Sequence, residues 1–288
     1  MQYLKYLALI PILCLAATSA TVNPPQTVSI VKLATNTTTD LLGLTGNFHE
    51  RFDEDIYGQM VTVNSPLSAG TGVLSGASSA QSGFGVLHAA TSSALTNPGS
   101  PVLAYSEADA MFTDIMEIDF TPFTGERGYL VVDFTLDGAF SKSGSFDAFG
   151  TVYAWEGNTI NQAMVFNSAT SGTFEFPKNA FPFVYGTPFN LSFDLELQTG
   201  TLNPPNPPGL FTSGRLTSTP GSGSAQFANT LTIQQLTFLD SALNQVSGPV
   251  LTSGSGTAYS SATPEPSTVV FSLIGTFLLA ALRPRLAV

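Results

Sequence analysis

The sequence predicts an all-β fold: a single antiparallel β-sandwich or jelly-roll-like domain over residues 21–259. Apolar and polar residues alternate with a period of two in several segments, which is typical of strands with one buried face. Short turn sequences rich in Gly, Asp and Asn separate these segments. Charged residues make up only 10% of the 288 residues, against about 25% in an average soluble domain, and no segment repeats its apolar residues with the period of an amphipathic helix.

The clearest alternation predicts a strand over residues 189–197, where Phe and Leu occupy the odd-numbered positions and Asn, Ser, Asp and Glu the even-numbered ones. Further strands are predicted over residues 116–120, 130–136, 151–155, 174–176 and 231–238. In the last of these the alternation changes phase at Gln234 and Gln235, which indicates a β-bulge. Phenylalanine, with 22 residues, is the main predicted core residue.

Proline and glycine mark the long loops. Residues 203–209 contain four prolines, so they cannot form a central strand, and residues 219–224 predict a second loop. Residues 65–100 are rich in Ser, Ala and Gly and carry no clear strand pattern. No internal repeat and no domain boundary is visible between residues 21 and 259, so we predict one domain there.

The first 20 residues have the pattern of a secretory signal peptide. Lys5 supplies the positive charge, residues 7–17 form the apolar segment, and small residues lead to the predicted cleavage position at Ala20. The alternative, a buried first helix, is disfavoured by the polar, proline-rich stretch that follows. The one cysteine, Cys14, lies inside the signal, so we expect neither a disulfide nor a cysteine metal site in the mature protein.

The C-terminal residues predict a short membrane-spanning helix behind a polar linker. Residues 268–282 are uncharged and mostly apolar, and a helix of this length spans about 22 Å, less than the ~30 Å hydrocarbon core. Thinning of the bilayer can accommodate such a helix. Arg283 and Arg285 follow it and are expected to stay cytoplasmic, which places the β domain outside. Pro264 and Pro266 keep the segment before the helix extended.

This arrangement resembles the PEP-CTERM sorting signal, which is recognised and cleaved by exosortase, a membrane-embedded, transpeptidase-like enzyme of Gram-negative bacteria. The resemblance covers residues 263–285 within the C-terminal region 260–288. It implies the recognition residues Pro264, Glu265, Pro266, Ser267, Arg283 and Arg285. It also implies signal peptidase and an exosortase-type enzyme as partners, and an inner-membrane-anchored intermediate. The implied destination is the cell surface or the exopolysaccharide matrix of a biofilm. A plain C-terminal membrane anchor is the alternative.

No catalytic constellation is recognisable, and we predict a non-enzymatic protein. His49 is followed by Glu50 but lacks the second helical histidine of a zinc protease. His88 lies among apolar and small residues, and no serine occupies a Gly-x-Ser-x-Gly elbow between a strand and a helix. The net charge of −11 argues against a nucleic-acid partner, because phosphate binding needs basic patches.

Clustered carboxylates are the remaining candidates for a cation site. Asp53, Glu54 and Asp55 form an acidic run that could hold calcium. The EF-hand pattern is absent and a solvated acidic turn is the favoured alternative, so we predict no resident metal or other cofactor. A second acidic group consists of Asp109, Asp114, Glu117 and Asp119. In this group Glu117 and Asp119 are expected to share one solvent-exposed strand face.

Three functions remain open for the β domain. The first is a structural or adhesive surface or matrix protein, which predicts no deep pocket and no perturbed carboxylate pair. The second is a carbohydrate-binding module that uses exposed aromatic residues, with Trp155, Tyr153 and Tyr185 as candidates, and that could be assisted by calcium. The third is a secreted hydrolase, which needs two acids converging in a cleft. For the three aromatic residues core packing is the favoured prediction, and the lack of a catalytic constellation favours the first function.

Overall fold

A computed structural model of the chain describes residues 24–36, 49–57, 59–64, 67–69, 72–157, 159–167, 170–202 and 215–261. The predicted signal peptide, the proline-rich loop 203–209 and the predicted sorting signal with its helix 268–282 lie outside the described residues. Within the described ranges no helix is long and apolar enough to cross a bilayer. The predictions for both ends of the chain therefore stay predictions.

Strands make up most of the described chain, together with one short 3-10 turn at Thr121–Phe123. The strands are β1 (Gln26–Asn36), β2 (His49–Asp55), β3 (Val61–Asn64), β4 (Leu67–Ala69), β5 (Gly72–Gly83), β6 (Val86–Thr96), β7 (Leu103–Asp119), β8 (Arg127–Gly144), β9 (Asp147–Glu156), β10 (Thr159–Phe166), β11 (Thr170–Glu175), β12 (Phe181–Val184), β13 (Phe189–Gly200), β14 (Gly221–Leu239) and β15 (Val250–Ser253).

The strands form two sheets in which the strand pairs are antiparallel. The seven-stranded sheet has the order β10-β9-β13-β7-β1-β2, with β15 added beside β7. The eight-stranded sheet has the order β11-β8-β14-β6-β5-β3, with β12 beside β8 and β4 beside β5. The predicted all-β, antiparallel fold is confirmed, and the two sheets are consistent with a β-sandwich.

Phenylalanine side chains fill much of the space between the two sheets. Phe112 of β7 and Phe193 of β13 stack with their ring centroids 5.8 Å apart. Phe134 of β8, in the other sheet, contacts Phe193 edge-on at 6.1 Å. The predicted strand 189–197 lies within β13, and its odd-numbered side chains belong to this core. The sequence pattern therefore identified the face of β13 that the sandwich buries.

Hydroxyl side chains complete the core where the apolar alternation is missing. The hairpin of β5 and β6 occupies most of the stretch 65–100, and its core-facing side chains include Ser78 and Thr91. The hydroxyls of Ser78, Thr91 and Ser106 hydrogen-bond to one another at 2.6 to 2.9 Å between the two sheets. Because a hydroxyl both donates and accepts, this buried trio is satisfied without a charged partner.

The predicted β-bulge is confirmed in β14. Its register against β8 shifts between Ile233 and Gln235. The extra residue brings Leu231 and Leu236 into the same core although an odd number of positions separates them. A second register shift in β14, between Gln226 and Leu231, was not predicted.

Candidate functional site

Four carboxyl side chains lie on the outer face of the seven-stranded sheet, and we call this group the carboxyl face. Glu107 and Asp109 come from β7, and Asp194 and Glu196 come from β13. Side chains alternate along a strand between its two faces. The inner faces of β7 and β13 pack on the core, and these four residues lie on the opposite, outer face. In the antiparallel register Asp109 lies directly opposite Glu196. Like charges in this position destabilise a sheet unless they are compensated.

Two neutral side chains donate hydrogen bonds to the carboxyl face. The Gln198 side-chain amide donates to Glu107 Oε2 at 3.4 Å, to Glu196 Oε1, and to the Tyr105 hydroxyl oxygen at 3.3 Å. The Tyr153 hydroxyl of β9 donates to Glu196 Oε2 at 3.0 Å. These bonds link β7, β13 and β9 on one side of the sheet and place the two glutamates in a defined hydrogen-bond network.

Burial raises the pKa of each carboxyl group on this face. For Glu107 the pKa rises through burial and through repulsion from Glu196 and Asp109. Burial, followed by the neighbouring Asp194, raises the pKa of Asp109 well above its usual range. Burial raises the pKa of Asp194 to about 7, and it raises the pKa of Glu196 against the two hydrogen bonds that this group accepts. The face therefore holds protons at pH values where an exposed carboxyl has lost them. The expectation of no perturbed carboxylate pair, which accompanied the first function, is wrong for this face.

One oxygen of each aspartate in the carboxyl face is closed off from solvent. Asp109 Oδ1 and Asp194 Oδ1 receive no hydrogen bond from an N–H or O–H group of the described residues. The two carboxyl groups lie within hydrogen-bonding reach of each other. An unsatisfied buried acceptor costs about 1–3 kcal/mol, so this pair needs a physical explanation.

The three aromatic candidates occupy two different environments. Tyr185 is 1% exposed and donates its hydroxyl to the Leu239 carbonyl at 3.1 Å, which confirms the core prediction for this residue. Tyr153 and Trp155 are half-buried on the outer face of β9, where they alternate with the core residue Ala154. The core prediction is wrong for these two. They lie outside because the odd-numbered side chains of β9 are on the same side of the sheet as the carboxyl face.

The acidic residues of β7 do not form one group. Asp109 lies on the outer face, whereas Asp114 is fully buried on the inner face. Asp119 is exposed, as predicted, but Glu117 is half-buried. An odd number of positions separates Asp109 from Asp114, and the alternation of a strand therefore sends their side chains to opposite faces.

Asp114 attaches the last described segment of the chain to the sheet. Its carboxylate accepts hydrogen bonds from the Ser253 hydroxyl at 2.7 Å and from the Ser255 hydroxyl and amide at 2.6 and 3.0 Å. The Tyr259 hydroxyl donates to the same carboxylate at 3.0 Å. These donors satisfy the buried side chain of Asp114 within the protein. We call Asp114 and the residues that it binds the docking site.

The acidic run on β2 is built into the sheet edge. Asp53, Glu54 and Asp55 lie opposite residues of β1. The Asp55 carboxylate accepts the amides of Tyr57 and Gln59 at 2.8 and 2.9 Å, so it closes a turn. In the described part of the chain no three acidic, histidine or cysteine side chains are grouped to hold a metal ion. The prediction of no resident metal, with this run as the weak candidate for calcium, stays a prediction.

The two histidines lie on separate strands. His49 begins β2, opposite Thr35 of β1. His88 lies on β6, opposite Gln81 of β5, and is half-buried. β2 and β6 belong to different sheets.

The eight-stranded sheet carries an open groove of about 330 Å³ on its outer face. Small residues line it: Ser75, Gly76, Ser92, Ser93, Ala94, Ser141, Ser222, Gly223 and Ser224. Some of these hydroxyls bond to one another, as Ser141 does with Ser224 at 2.8 Å. No charged or aromatic side chain lines this groove, so it offers a ligand little beyond hydroxyl contacts.

Sequence reasoning missed the carboxyl face as a unit, although a signal for it exists. Acids two positions apart on a strand share a face, and both Glu107-x-Asp109 and Asp194-x-Glu196 have this spacing. The additional fact that is required is the pairing of β7 with β13. That pairing joins residues far apart in the sequence.

Comparisons with known proteins do not assign the chain to a family. No family model matches the sequence, and no curated protein matches it. Among solved structures, the subviral particle of the infectious bursal disease virus protein VP2 aligns over 88% of this chain and 85% of its own. The sequence identity is 9% and the TM-score is 0.16.

We predict that Gln198→Met destabilises the protein by about 1–3 kcal/mol at neutral pH, because two glutamates lose their shared donor. The loss should be smaller near pH 4.5, where protonated carboxyl groups need fewer donors. The measurement is urea unfolding of the full chain at both pH values. The control is Gln226→Met, an exposed glutamine on β14. Equal losses for the two variants at neutral pH would contradict a role for Gln198 on the carboxyl face.

Proposed function

We propose that the protein is an exported, non-enzymatic cell-surface or extracellular-matrix protein, sorted through its C-terminal signal by an exosortase-type enzyme. In this proposal signal peptidase cuts after Ala20, and the helix 268–282 anchors an intermediate in the inner membrane. Cleavage near Pro264, Glu265 and Pro266 then delivers a jelly-roll-like β-sandwich to the surface or the exopolysaccharide matrix of a Gram-negative cell.

The observation that carries the proposal is the position of the docking site relative to the sorting motif. The fold holds the chain at Tyr259 through Asp114, and at Ser260 through a hydrogen bond from the Leu236 amide at 2.8 Å. Pro264 follows four positions after Ser260. A cut at the motif would therefore remove none of the contacts that close the sheet, and the β domain would keep its structure after release.

Replacing Pro264, Glu265 and Pro266 with alanines tests the sorting step directly. In host cells that contain the sorting enzyme, we expect the natural chain to be shortened and to leave the inner-membrane fraction. The variant should stay at its longer length in that fraction, as should the natural chain in cells without the enzyme. Cell fractionation and immunoblotting measure both properties.

A matched control removes prolines elsewhere, through alanines at Pro204, Pro205 and Pro207 in the predicted loop. We expect this control variant to be processed like the natural chain. Processing of the motif variant at the natural rate would refute the sorting proposal.

The docking site makes a separate prediction about the released domain. Asp114→Asn places an amide N–H₂ where hydroxyl groups donate, so part of the network is lost, at a cost of about 1–3 kcal/mol. We expect faster amide hydrogen exchange in residues 250–259 of this variant, and protease cleavage there. The control is Asp119→Asn, an exposed residue on the same strand. Equal protection in the two variants would show that Asp114 does not hold this segment.

Carbohydrate binding without catalysis is a second candidate, favoured by the position of Tyr153 and Trp155. Both rings are half-buried on the outer face of β9, and Tyr153 lies directly opposite Asp194. Aromatic side chains beside a few polar groups are typical of binding surfaces for small molecules. In this proposal the acids accept hydrogen bonds from sugar hydroxyls.

A glycan array, with and without calcium, tests this second candidate. We expect a bound glycan to lose at least about tenfold in affinity in Trp155→Ala, the size of effect that loss of one aromatic contact produces. The control is Val250→Ala, because Val250 is 62% exposed and lies on β15. Binding that is unaffected by Trp155→Ala would remove the outer face of β9 from consideration, and release of shortened sugars would indicate a hydrolase instead.

A further inference from the structure

The two aspartates of the carboxyl face lie on neighbouring central strands. Asp194 is opposite Met111 and Asp109 is opposite Glu196, so the two aspartates are diagonal neighbours across the β7–β13 ladder. Their carboxyl groups lie within hydrogen-bonding reach of each other. Their Oδ1 atoms are both closed off from solvent. The geometry thus brings together two acceptors and no N–H or O–H donor of the described protein.

A single proton shared by Asp109 and Asp194 would supply the hydrogen-bond donor that these two groups lack. A protonated carboxyl group has one O–H donor, and a carboxylate is an acceptor only. One proton held between the two groups makes a hydrogen bond and removes one of two like charges. Two carboxylates that share a site bind their last proton tightly for this reason.

The groups around the pair add more negative than positive charge. On the same two strands Glu107 and Glu196 face the pair, and on β9 Tyr153 donates to Glu196. On β1, Lys32 lies opposite Glu107 and lowers the pKa of that group. On β2, Glu54 lies two strands away in the same row as Asp109, because both pair with Ile30.

We propose that Asp109 and Asp194 share one proton and form a pH-sensitive lock between β7 and β13. When the proton is present, the O–H of one carboxyl donates to the carboxylate of the other and ties the two strands together. When the proton leaves to solvent, the hydrogen bond is lost and two like charges remain inside the sheet. This inference is independent of the sorting proposal and of carbohydrate binding.

The direction of the pH dependence follows from the raised pKa values. Burial raises the pKa of Asp194 to about 7 and that of Asp109 well above its usual range. A carboxyl group whose pKa is higher in the folded than in the unfolded protein contributes its full stabilisation below the unfolded value, about 4. The stabilisation is lost as the pH rises through the folded value. The lock is therefore closed at pH 5 to 6 and opens as the pH rises through about 7.

Urea unfolding of the full chain between pH 5 and pH 9 tests the lock. For each proton that the folded protein holds and the unfolded chain does not, the unfolding constant rises by up to about tenfold per pH unit, and this rise ends above the folded pKa. Asp194→Asn supplies a permanent N–H donor to Asp109, so we expect its pH dependence to be shallower by about one proton. The control, Asp119→Asn, alters an exposed aspartate of the same strand and should keep the natural slope. A natural slope in Asp194→Asn would overturn the proposal.

Infrared spectroscopy of the folded protein gives a second readout that does not depend on the stability of a variant. The C=O stretch of a protonated carboxylic acid should be present in the natural chain at pH 6. It should be weaker in Asp194→Asn or in Asp109→Asn, whichever of the two folds. Absence of this band from the natural chain would overturn the proposal. Stabilisation at pH 8 by calcium, lost in Asp194→Asn, would also overturn it, because a cation would then occupy the place of the proton.

Discussion

The ladder between β7 and β13 must satisfy two different environments at once. Phe112 and Phe193 stack on its inner side and join the two sheets. Strand alternation then places the odd-numbered side chains of β7 and the even-numbered side chains of β13 on the outer side. Glu107, Asp109, Asp194 and Glu196 therefore share that side. The apolar core therefore brings the carboxyl groups together and supplies the stability that offsets their mutual repulsion. The properties of the carboxyl face follow from this constraint.

Two aspartates on β7 show how the same side chain is accommodated in opposite ways. Asp114 lies on the inner face and accepts four hydrogen bonds from residues 253–259. Asp109 lies on the outer face with one buried oxygen that receives no donor from the described protein. The first carboxyl group accepts its hydrogen bonds from hydroxyl and amide donors of the protein. The second lies beside another acid, Asp194, and in our proposal the two groups share a proton.

The sequence predicts those parts of the fold in which apolar residues carry the pattern. The strand 189–197 and the phase change at Gln235 are visible because Leu and Phe mark the buried face. The hairpin of β5 and β6 is not visible, because Ser78 and Thr91 take core positions and satisfy each other as hydroxyl pairs. An apolar alternation cannot reveal a core built from hydroxyl groups.

The carboxyl face could be predicted only in part. Its two Glu/Asp pairs have the spacing of residues on one strand face, but the meeting of Asp109 with Asp194 depends on pairing between distant segments. A single sequence does not specify which strands become neighbours. Grouping Asp109 with Asp114 because they are close in the sequence was wrong. Whether two residues of one strand share a face depends on whether an even or an odd number of positions separates them. The outward position of Tyr153 and Trp155 likewise depends on which face of β9 meets the core.

The docking site connects the fold to the proposed route of the protein. It holds the chain as far as Tyr259, and the Leu236 amide holds Ser260. The folded domain and the proposed sorting segment are therefore separate in sequence. An acidic surface with few charges overall and a core that uses no cysteine suit a domain that works outside the cell. In this account the C-terminal residues direct the protein to the cell surface, and the β domain is the part that is released there.

The intact mass of the protein isolated from the surface or medium of its host tests this account most directly. The account predicts a mass that corresponds to a chain beginning at Thr21 and ending near Pro264, in a protein that still shows the circular dichroism of antiparallel sheets. A mass that includes residues 268–288 would contradict it, as would a protein that is found only in the cytosol.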